Sequence, residues 1–215
     1  MEGIKLSKRP RLKKPFLIVA WPGMGEVAFK AANYLIEELR AEEFASIPPE
    51  EFFYLTGSTV NQGVLSTPDL PYSKFYYYKN KSGKNDFIFL ISNAQPDLAR
   101  ADAYSRRVIQ LAKSFKVDTV VSFASMPLGI DHTQEPGVWF AATSTDLAGK
   151  LRGAGLNALS EGATVITFFQ EKGIPSCATG FGVSACAHIA DEYVKINNLY
   201  KGTLALEHFL RIYQP

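Results

Sequence analysis

Short, wholly apolar runs alternate along this chain with longer segments whose apolar residues recur every three or four positions. Phe16–Ala20 and Phe87–Ile91 are runs of the first kind, typical of strands buried on both faces of a parallel sheet. Segments 27–39 and 104–115 each carry one apolar stripe with charged residues beside it, typical of helices. Strands and helices therefore alternate, which predicts an α/β fold with a mixed, mostly parallel sheet covered by helices on both faces.

Weaker patterns complete the predicted order of elements. Further strands are expected at 44–47, 52–55, 75–79, 118–123, 138–143 and 174–178. A helix is expected over 157–171, and helical stripes recur within 186–194 and 206–213. Residues 56–74 are rich in proline, glycine and polar side chains, which predicts a long loop of the kind that often carries function.

Composition is that of an ordinary globular protein, with 215 residues, 47% hydrophobic and 20% charged. Six of the 23 basic residues stand in 1–14 against one acid, which predicts a flexible basic leader followed by a single α/β domain over 15–215. That leaves 17 basic and 20 acidic residues, so the body is not expected to bind nucleic acid. The leader could contact RNA or an acidic partner, although a solvated terminus is favoured.

Several classes of protein lack support in the sequence. The first apolar run, 16–21, is too short for a secretion signal, and no segment approaches the ~20 apolar residues of a membrane span. The two cysteines are not spaced as C-x-x-C, and the three histidines form no ligand motif. We expect a cytoplasmic protein with no metal, no cofactor and no membrane contact.

The turn between the first apolar run and the first helix is the leading site candidate. It consists of Trp21-Pro22-Gly23-Met24-Gly25, and Gly23–Ala28 formally matches G-x-G-x-x-[G/A]. Amide groups at a helix start can bind an anion. A dinucleotide site would also need an acidic residue after the second strand, where this chain has Ile47-Pro48-Pro49. A tight turn needed for packing is therefore favoured over a nucleotide site.

A second candidate, Asn93-Ala94-Gln95-Pro96, follows the apolar run at 87–91. It should emerge at the same carboxyl edge of the sheet as the 21–25 turn, which is where open α/β folds bind ligands. Asn93 and Gln95 could bind a ligand there, or Gln95 could tie its loop to the turn. Together, residues 21–25, Asn93 and Gln95 form the predicted ligand-binding set.

Catalytic groups are harder to find. Asp131-His132-Thr133 forms an acid–base pair only if the side chains meet in space. Segment 182–186 begins like a nucleophile elbow but has Cys186 in place of the second glycine. No catalytic residue is therefore assigned.

Several of these segments resemble one known family. The run PFLIVAWPGMGEVAFKAANYLIEEL at 15–39 and DFIFLISNAQP at 86–96 are similar to signatures of the proteasome assembly chaperone (type 2) family. LRGAGLNAL at 151–159 and EKGIP at 171–175 resemble later pieces more loosely. The resemblance implies a three-layer α/β/α sandwich of the phosphorylase/hydrolase-like class. It also implies cytoplasmic homo-oligomers or hetero-oligomers, which in eukaryotes bind proteasome α subunits.

The function expected from this resemblance is a non-catalytic, protein-binding, oligomeric scaffold. Its partner would be a proteasome subunit or a paralogue. Some chaperones of this kind dock through a C-terminal hydrophobic-Tyr-any tail, and this sequence ends Ile212-Tyr213-Gln214-Pro215, one residue too long. The alternative is a protein that binds a nucleotide, nucleoside or phosphate, or a phosphorylase/hydrolase-like enzyme, with its site at the carboxyl edge of the sheet.

Overall fold

The computed structural model describes residues 3–54, 58–67, 69–81, 83, 85–125, 137–160, 169 and 171–181. Its helices are α1 (Val27–Glu38), α2 (Ala101–Ser114) and α3 (Thr145–Gly153). Its strands are, in chain order, β1 (Lys5–Leu6), β2 (Phe16–Ala20), β3 (Glu42–Ile47), β4 (Thr59–Asn61), β5 (Val64–Ser66), β6 (Ser73–Tyr78), β7 (Phe87–Ser92), β8 (Thr119–Ala124), β9 (Val138–Ala142), β10 (Asn157–Ala158) and β11 (Ser176–Phe181).

Nine of these strands form one sheet, in the order β1-β3-β6-β7-β2-β8-β11-β9-β10. The centre of the sheet, β7-β2-β8-β11, is parallel, and β9 pairs in parallel with β10. The other four pairings are antiparallel. The expected mixed sheet is confirmed, with the parallel pairings concentrated where the fully apolar strands lie.

Helices cover both faces of the sheet because successive strand residues point to opposite sides. Leu17 and Val19 of β2 face α2, in a core that includes Val108 and Leu111. Phe16, Ile18 and Ala20 face the other way, toward α1 and α3. All five residues of β2 are buried, which explains why the strand is apolar throughout. The three-layer α/β/α arrangement expected from the sequence is confirmed.

The strand directions give the molecule two chemically different ends. We call the end at which β2, β7 and β8 finish the carboxyl end. Because Ser73 pairs with Ser92 and Ile47 pairs with Ser73, segments 48–54 and 58–72 also reach the carboxyl end. We call the opposite end, where β2, β7 and β8 begin, the amino end. Segments 9–15, 79–86 and 113–118 meet there.

The basic segment at the start of the chain lies along the sheet in the structure. Lys5 and Leu6 pair antiparallel with Ser46 and Ala45 of β3, and Ile4 is buried. Lys8 forms an ion pair with Glu42, which raises the pKa of Lys8 and lowers the pKa of Glu42. The division into a leader over 1–14 and one domain over 15–215 stays a prediction.

Three local expectations differ from the structure. The strand expected at 52–55 is wrong, because Pro49–Glu51 form a 3₁₀ turn and the amides of Phe52 and Phe53 both donate to the Pro49 carbonyl. The expected loop at 56–74 contains the hairpin β4–β5. Asn157–Ala158 is a short strand where a helix was expected to begin, and 161–168 lie outside the described residues.

Candidate functional site at the carboxyl end

The turn after β2 is held by two consecutive residues in the left-handed backbone region. Gly25 has φ +62° and Glu26 has φ +52°. The Glu26 amide donates to the Gly23 carbonyl at 2.9 Å, which closes the turn directly before α1. A side chain at Gly25 would be strained in this conformation, so the backbone favours glycine there.

Gly23 has a different explanation from Gly25. Its φ of −141° is extended backbone that any residue adopts. A Cβ atom built at Gly23 meets nothing within 4 Å. Neither the conformation nor the surroundings within the chain therefore require glycine at this position.

Two neighbouring loops hold the turn by its carbonyl groups. The Gln95 side-chain amide donates to the Pro22 carbonyl at 2.7 Å, and the Ser125 hydroxyl donates to the Met24 carbonyl. Of the two interpretations of Gln95, the structure shows the tie to the turn. Asn93 has a similar role, because its side-chain oxygen accepts from the Tyr72 amide at 2.7 Å. Ligand binding by residues 21–25, Asn93 and Gln95 stays a prediction.

Beneath the turn, a chain of buried hydroxyl groups connects α2 to the loop after β7. The Tyr104 hydroxyl donates to Ser73 at 2.8 Å, Ser73 donates to Ser92 at 3.1 Å, and Ser92 donates to the Ala94 carbonyl at 2.8 Å. Burial raises the pKa of Tyr104, and its hydroxyl partners oppose part of that rise. The Trp21 ring lies edge-on to Tyr104, with 6.3 Å between ring centroids. The turn therefore lies on a base of hydrogen-bonded hydroxyl groups.

The electrostatics at the start of α1 do not favour a phosphate. Glu26 occupies the N-cap position and makes no side-chain cap hydrogen bond. Its exposed carboxylate pairs with Lys30 at 3.3 Å. A negative side chain at this position already interacts favourably with the helix dipole, and it would repel a bound phosphate. The glycine pattern is thus accompanied by the negative charge of Glu26, which disfavours the binding of a phosphate.

The carboxyl end is most distinctive for its exposed apolar side chains. Eight large apolar side chains are exposed among the described residues, and Tyr34 on α1 is the one that lies away from this end. The other seven are Met24, Tyr54, Val60, Val64, Leu65, Leu70 and Leu98, and we call them the apolar surface. Exposed apolar groups concentrated at one end of a molecule make that end a candidate interaction site.

The hairpin β4–β5 supplies three of these side chains. Val60 pairs directly with Leu65, so both lie on one face, and they are 66% and 71% exposed. The other face carries Thr59, whose hydroxyl lies 2.7 Å from that of Ser66. A two-stranded hairpin is marginally stable by itself, and its apolar face is expected to pack against something. All six strand residues are exposed, so the described part of the chain does not provide that packing.

Hydrogen bonds join two other loops of the apolar surface. The Asp97 amide donates to the Phe52 carbonyl at 2.9 Å, and Arg100 donates to the Tyr54 hydroxyl at 3.3 Å. Leu98, in the turn between Asp97 and Arg100, is 93% exposed. The loop after β7 thus presents a nearly fully exposed leucine on a well-anchored backbone.

Other sequence candidates offer little chemistry. Asp131-His132-Thr133, segment 182–186 and the final residues 212–215 lie outside the described residues. Burial raises the pKa of Cys177 to about 12, so its thiol is unreactive at neutral pH. No cluster of His, Cys, Asp or Glu suited to a metal ion occurs in the described part of the chain. None of the helices described there could cross a membrane.

Comparison with known families and structures gives this geometry a context. The model of the PAC2 family matches residues 17–188, which is most of the chain. The chain belongs to the PAC2 family. This confirms the resemblance to proteasome assembly chaperones that the 15–39 and 86–96 motifs indicated. Among curated proteins, none matches this chain.

Several solved structures share its fold. Pyrococcus furiosus PbaB, an archaeal proteasome activator, is 20% identical with a TM-score of 0.74, covering 99% of this chain and 90% of PbaB. Pyrococcus furiosus PbaA, an archaeal homolog of proteasome-assembly chaperone, is 18% identical with a TM-score of 0.72, covering 99% and 88%. A Corynebacterium glutamicum protein of unknown function is 18% identical with a TM-score of 0.77, covering 99% and 83%.

PAC2 membership changes how the carboxyl end is understood. Identities of this size establish a shared fold, and the assignment to the phosphorylase/hydrolase-like class stays a prediction. The 21–25 turn lies within the region that matches the family model, and the positive φ of Gly25 explains why glycine is favoured there. The apolar surface around it escaped the sequence patterns because its residues come from four loops and a hairpin. Only the hairpin within 56–74 could have been predicted from the sequence. Its two short runs, 58–61 and 64–66, alternate in the way that is typical of paired strands.

Proposed function

We propose that this PAC2 protein is a non-catalytic, chaperone-like scaffold that binds other proteins through its carboxyl end. The observation that carries the proposal is the apolar surface, which holds seven of the eight large apolar side chains that are exposed among the described residues. Protein interfaces have apolar cores with few charges at the centre. Residues 52–68 contain no charged side chain, and they include the hairpin.

The partner we propose is a proteasome subunit or a paralogue of this chain, encountered in the cytoplasm. Support comes from PbaB and PbaA, which are described as a proteasome activator and as a homolog of proteasome-assembly chaperone. We also propose that the chain forms homo-oligomers. An exposed, uncharged hairpin could meet a second copy without repulsion between like charges.

A direct experiment uses the purified chain and a purified proteasome α subunit from the same organism. Sedimentation velocity of each protein alone and of their mixture would show both self-association and complex formation. We expect a mixed species, and we expect the chain alone to sediment faster than a monomer. A chain that remains monomeric and forms no complex with the α subunit would contradict the proposal.

The alternative, a small-molecule site at the 21–25 turn, has one observation in its favour. The Gly23 and Met24 amides donate to none of the described residues, and Gly23 faces open space. Glu26 argues against a phosphate there, so a ligand would have to offer a neutral acceptor. A thermal-shift screen with nucleosides, nucleotides and phosphate tests this alternative. A shift with a nucleoside that Gly23→Val abolishes would support it, and the absence of any shift would remove it.

A further inference from the structure

The amino end is built from three segments that are distant in sequence and are joined by hydrogen bonds. The Lys13 amide donates to the Asp86 carboxylate at 2.7 Å, and the Asp86 amide donates to the Lys13 carbonyl at 3.0 Å. On the other side, the Asp118 amide donates to the Pro15 carbonyl at 2.9 Å. The described parts of segments 9–15, 79–86 and 113–118 are therefore adjacent at this end.

This surface is strongly basic. Its described basic side chains are all exposed, and none forms an ion pair with another described residue. They are Arg9, Arg11, Lys13, Lys14, Lys79, Lys81, Lys113 and Lys116, and we call them the basic patch. Four of these residues, Lys79, Lys81, Lys113 and Lys116, lie on segments that the net charge of the first fourteen residues does not reveal.

The acidic groups of the same segments do not neutralise the basic patch. Asp86 is buried, and its two carboxylate oxygens accept the amides of Lys13 and Asn80. Asp118 is half-buried and accepts the Thr119 hydroxyl at 3.2 Å. Both carboxylates accept hydrogen bonds within the fold, while the exposed Glu42, at the start of β3 on this end, interacts with Lys8 and Lys79 and offsets part of the positive charge.

Charge is distributed unevenly over the whole chain as a result. Setting aside the eight basic residues of the patch and the two acids beside them, the totals of 23 and 21 become 15 basic and 19 acidic residues. The chain beyond the patch is therefore net negative. A long polyanion that extends past the patch would meet repulsion, whereas a short acidic segment would be attracted to the patch alone.

The chemistry of the patch also separates a polypeptide from other polyanions. Nucleic-acid strands gain much of their affinity by stacking bases on exposed aromatic rings. At this end Phe115 is buried and covered by the Arg9 guanidinium, which lies 5.3 Å from the ring centroid. None of the large exposed apolar side chains belongs to the three segments, so nothing there would insert into a membrane.

We propose that the amino end is a second docking surface, which binds a short acidic segment of a partner polypeptide. The site is independent of the apolar surface, since the two lie at opposite ends of the central strands. Binding by charge alone is fast, reversible and sensitive to salt. A PAC2 scaffold with this site would hold one partner by apolar contact and an acidic segment by electrostatic attraction.

Fluorescence anisotropy with a labelled polyglutamate peptide tests this proposal on the full chain. We expect saturable binding that weakens between about 50 mM and about 200 mM salt. Polyuridylate of equal charge and phosphatidylserine vesicles serve as competing probes. Binding of either competitor more tightly than the peptide would overturn the assignment to an acidic polypeptide, and no binding of the peptide at low salt would overturn the site.

Variants locate the binding on the molecule. Arg11→Glu with Lys81→Glu should weaken peptide binding about tenfold, because two attractions become repulsions. Lys5→Glu with Arg152→Glu changes the net charge equally outside the patch, and should leave binding within about twofold. Arg11→Gln with Lys81→Gln, which introduces no repulsion, should fall between them. Equal weakening by the first two pairs would contradict a local site. The apolar-surface variants below should leave peptide binding unchanged, so each proposal can fail alone.

Discussion

The two ends of this PAC2 protein expose different kinds of side chain. At the carboxyl end, loops are tied together by side chains such as Gln95, while large apolar groups such as Leu98 are left exposed. At the amino end, the exposed side chains described in segments 9–15, 79–86 and 113–118 are all basic. At both ends, buried polar groups form hydrogen bonds with the backbone, but the side chains that are exposed to solvent differ. The buried polar residues therefore maintain the fold, and the exposed residues are available to contact partners.

Asp86 should show the largest effect on stability. Asp86→Ala removes an acceptor from the Lys13 and Asn80 amides, and we expect a loss of about 2 kcal/mol in the free energy of unfolding. Urea unfolding followed by circular dichroism measures this loss. Asp69→Ala, at an exposed position of the carboxyl end, is the matched control and should change stability by less than about 0.5 kcal/mol. Equal losses of stability in both variants would show that the buried Asp86 contributes no more to folding than an exposed aspartate.

The hairpin should show the reverse behaviour. Val60→Thr with Leu65→Gln removes the apolar face and keeps residues that tolerate exposure, so stability should change by less than about 0.5 kcal/mol. Binding to the α subunit should weaken about tenfold or more if these side chains are central to the interface. Titration calorimetry measures this binding. As a control, Tyr34→Gln removes an exposed apolar residue that lies outside the apolar surface. A loss of affinity as large as that of the hairpin variant would argue against a docking surface confined to the carboxyl end.

The two glycines of the 21–25 turn test the base of the carboxyl end. Gly25→Ala forces an alanine into φ +62°, and should cost about 1 kcal/mol of stability. Gly23→Ala should cost less than about 0.5 kcal/mol, because its backbone is extended and its surroundings are open. Denaturant midpoints with unchanged slopes give these values. A larger loss of stability at Gly23 than at Gly25 would show that the turn does not have these backbone conformations.

Tyr104 should make the carboxyl end sensitive to alkaline pH. Its pKa is raised by burial above the ordinary value of 10.0, so its contribution to stability is present below that pH and is lost as the pH rises further. Tyr104→Phe should cost about 1 kcal/mol at neutral pH, since Ser73 loses its donor. The variant should then lose less stability than the wild type between neutral pH and pH above about 10. Parallel alkaline losses in both proteins would exclude Tyr104 as the group responsible.

Much of the fold could be predicted from local patterns, and the ends could not. Phe16–Ala20 is apolar throughout because both faces of β2 are covered, and α1 shows its buried stripe in the sequence. Phe52 and Phe53 were expected in a strand, but Pro48-Pro49 directs a 3₁₀ turn that packs both rings near Tyr104. Local patterns predict an element well when its burial repeats along the chain.

The functional surfaces depend on contacts between distant segments. Gln95 and Pro22 are 73 positions apart, and their hydrogen bond could be suggested only by placing both loops at one edge. The basic patch joins Arg11, Lys81 and Lys116, which no window of sequence contains together. Only the leader's share of that charge is visible in the composition. Pairing between strands, rather than any motif, brings the remaining residues to the same end.

Hydrogen–deuterium exchange of the chain, alone and with the proteasome α subunit, would locate the docking surface on the molecule. If the carboxyl end docks the partner, amides in 58–66 and 97–100 should become protected on binding, while α1 residues around Tyr34 should remain unchanged. Protection elsewhere, with none in the hairpin or around Leu98, would contradict the account.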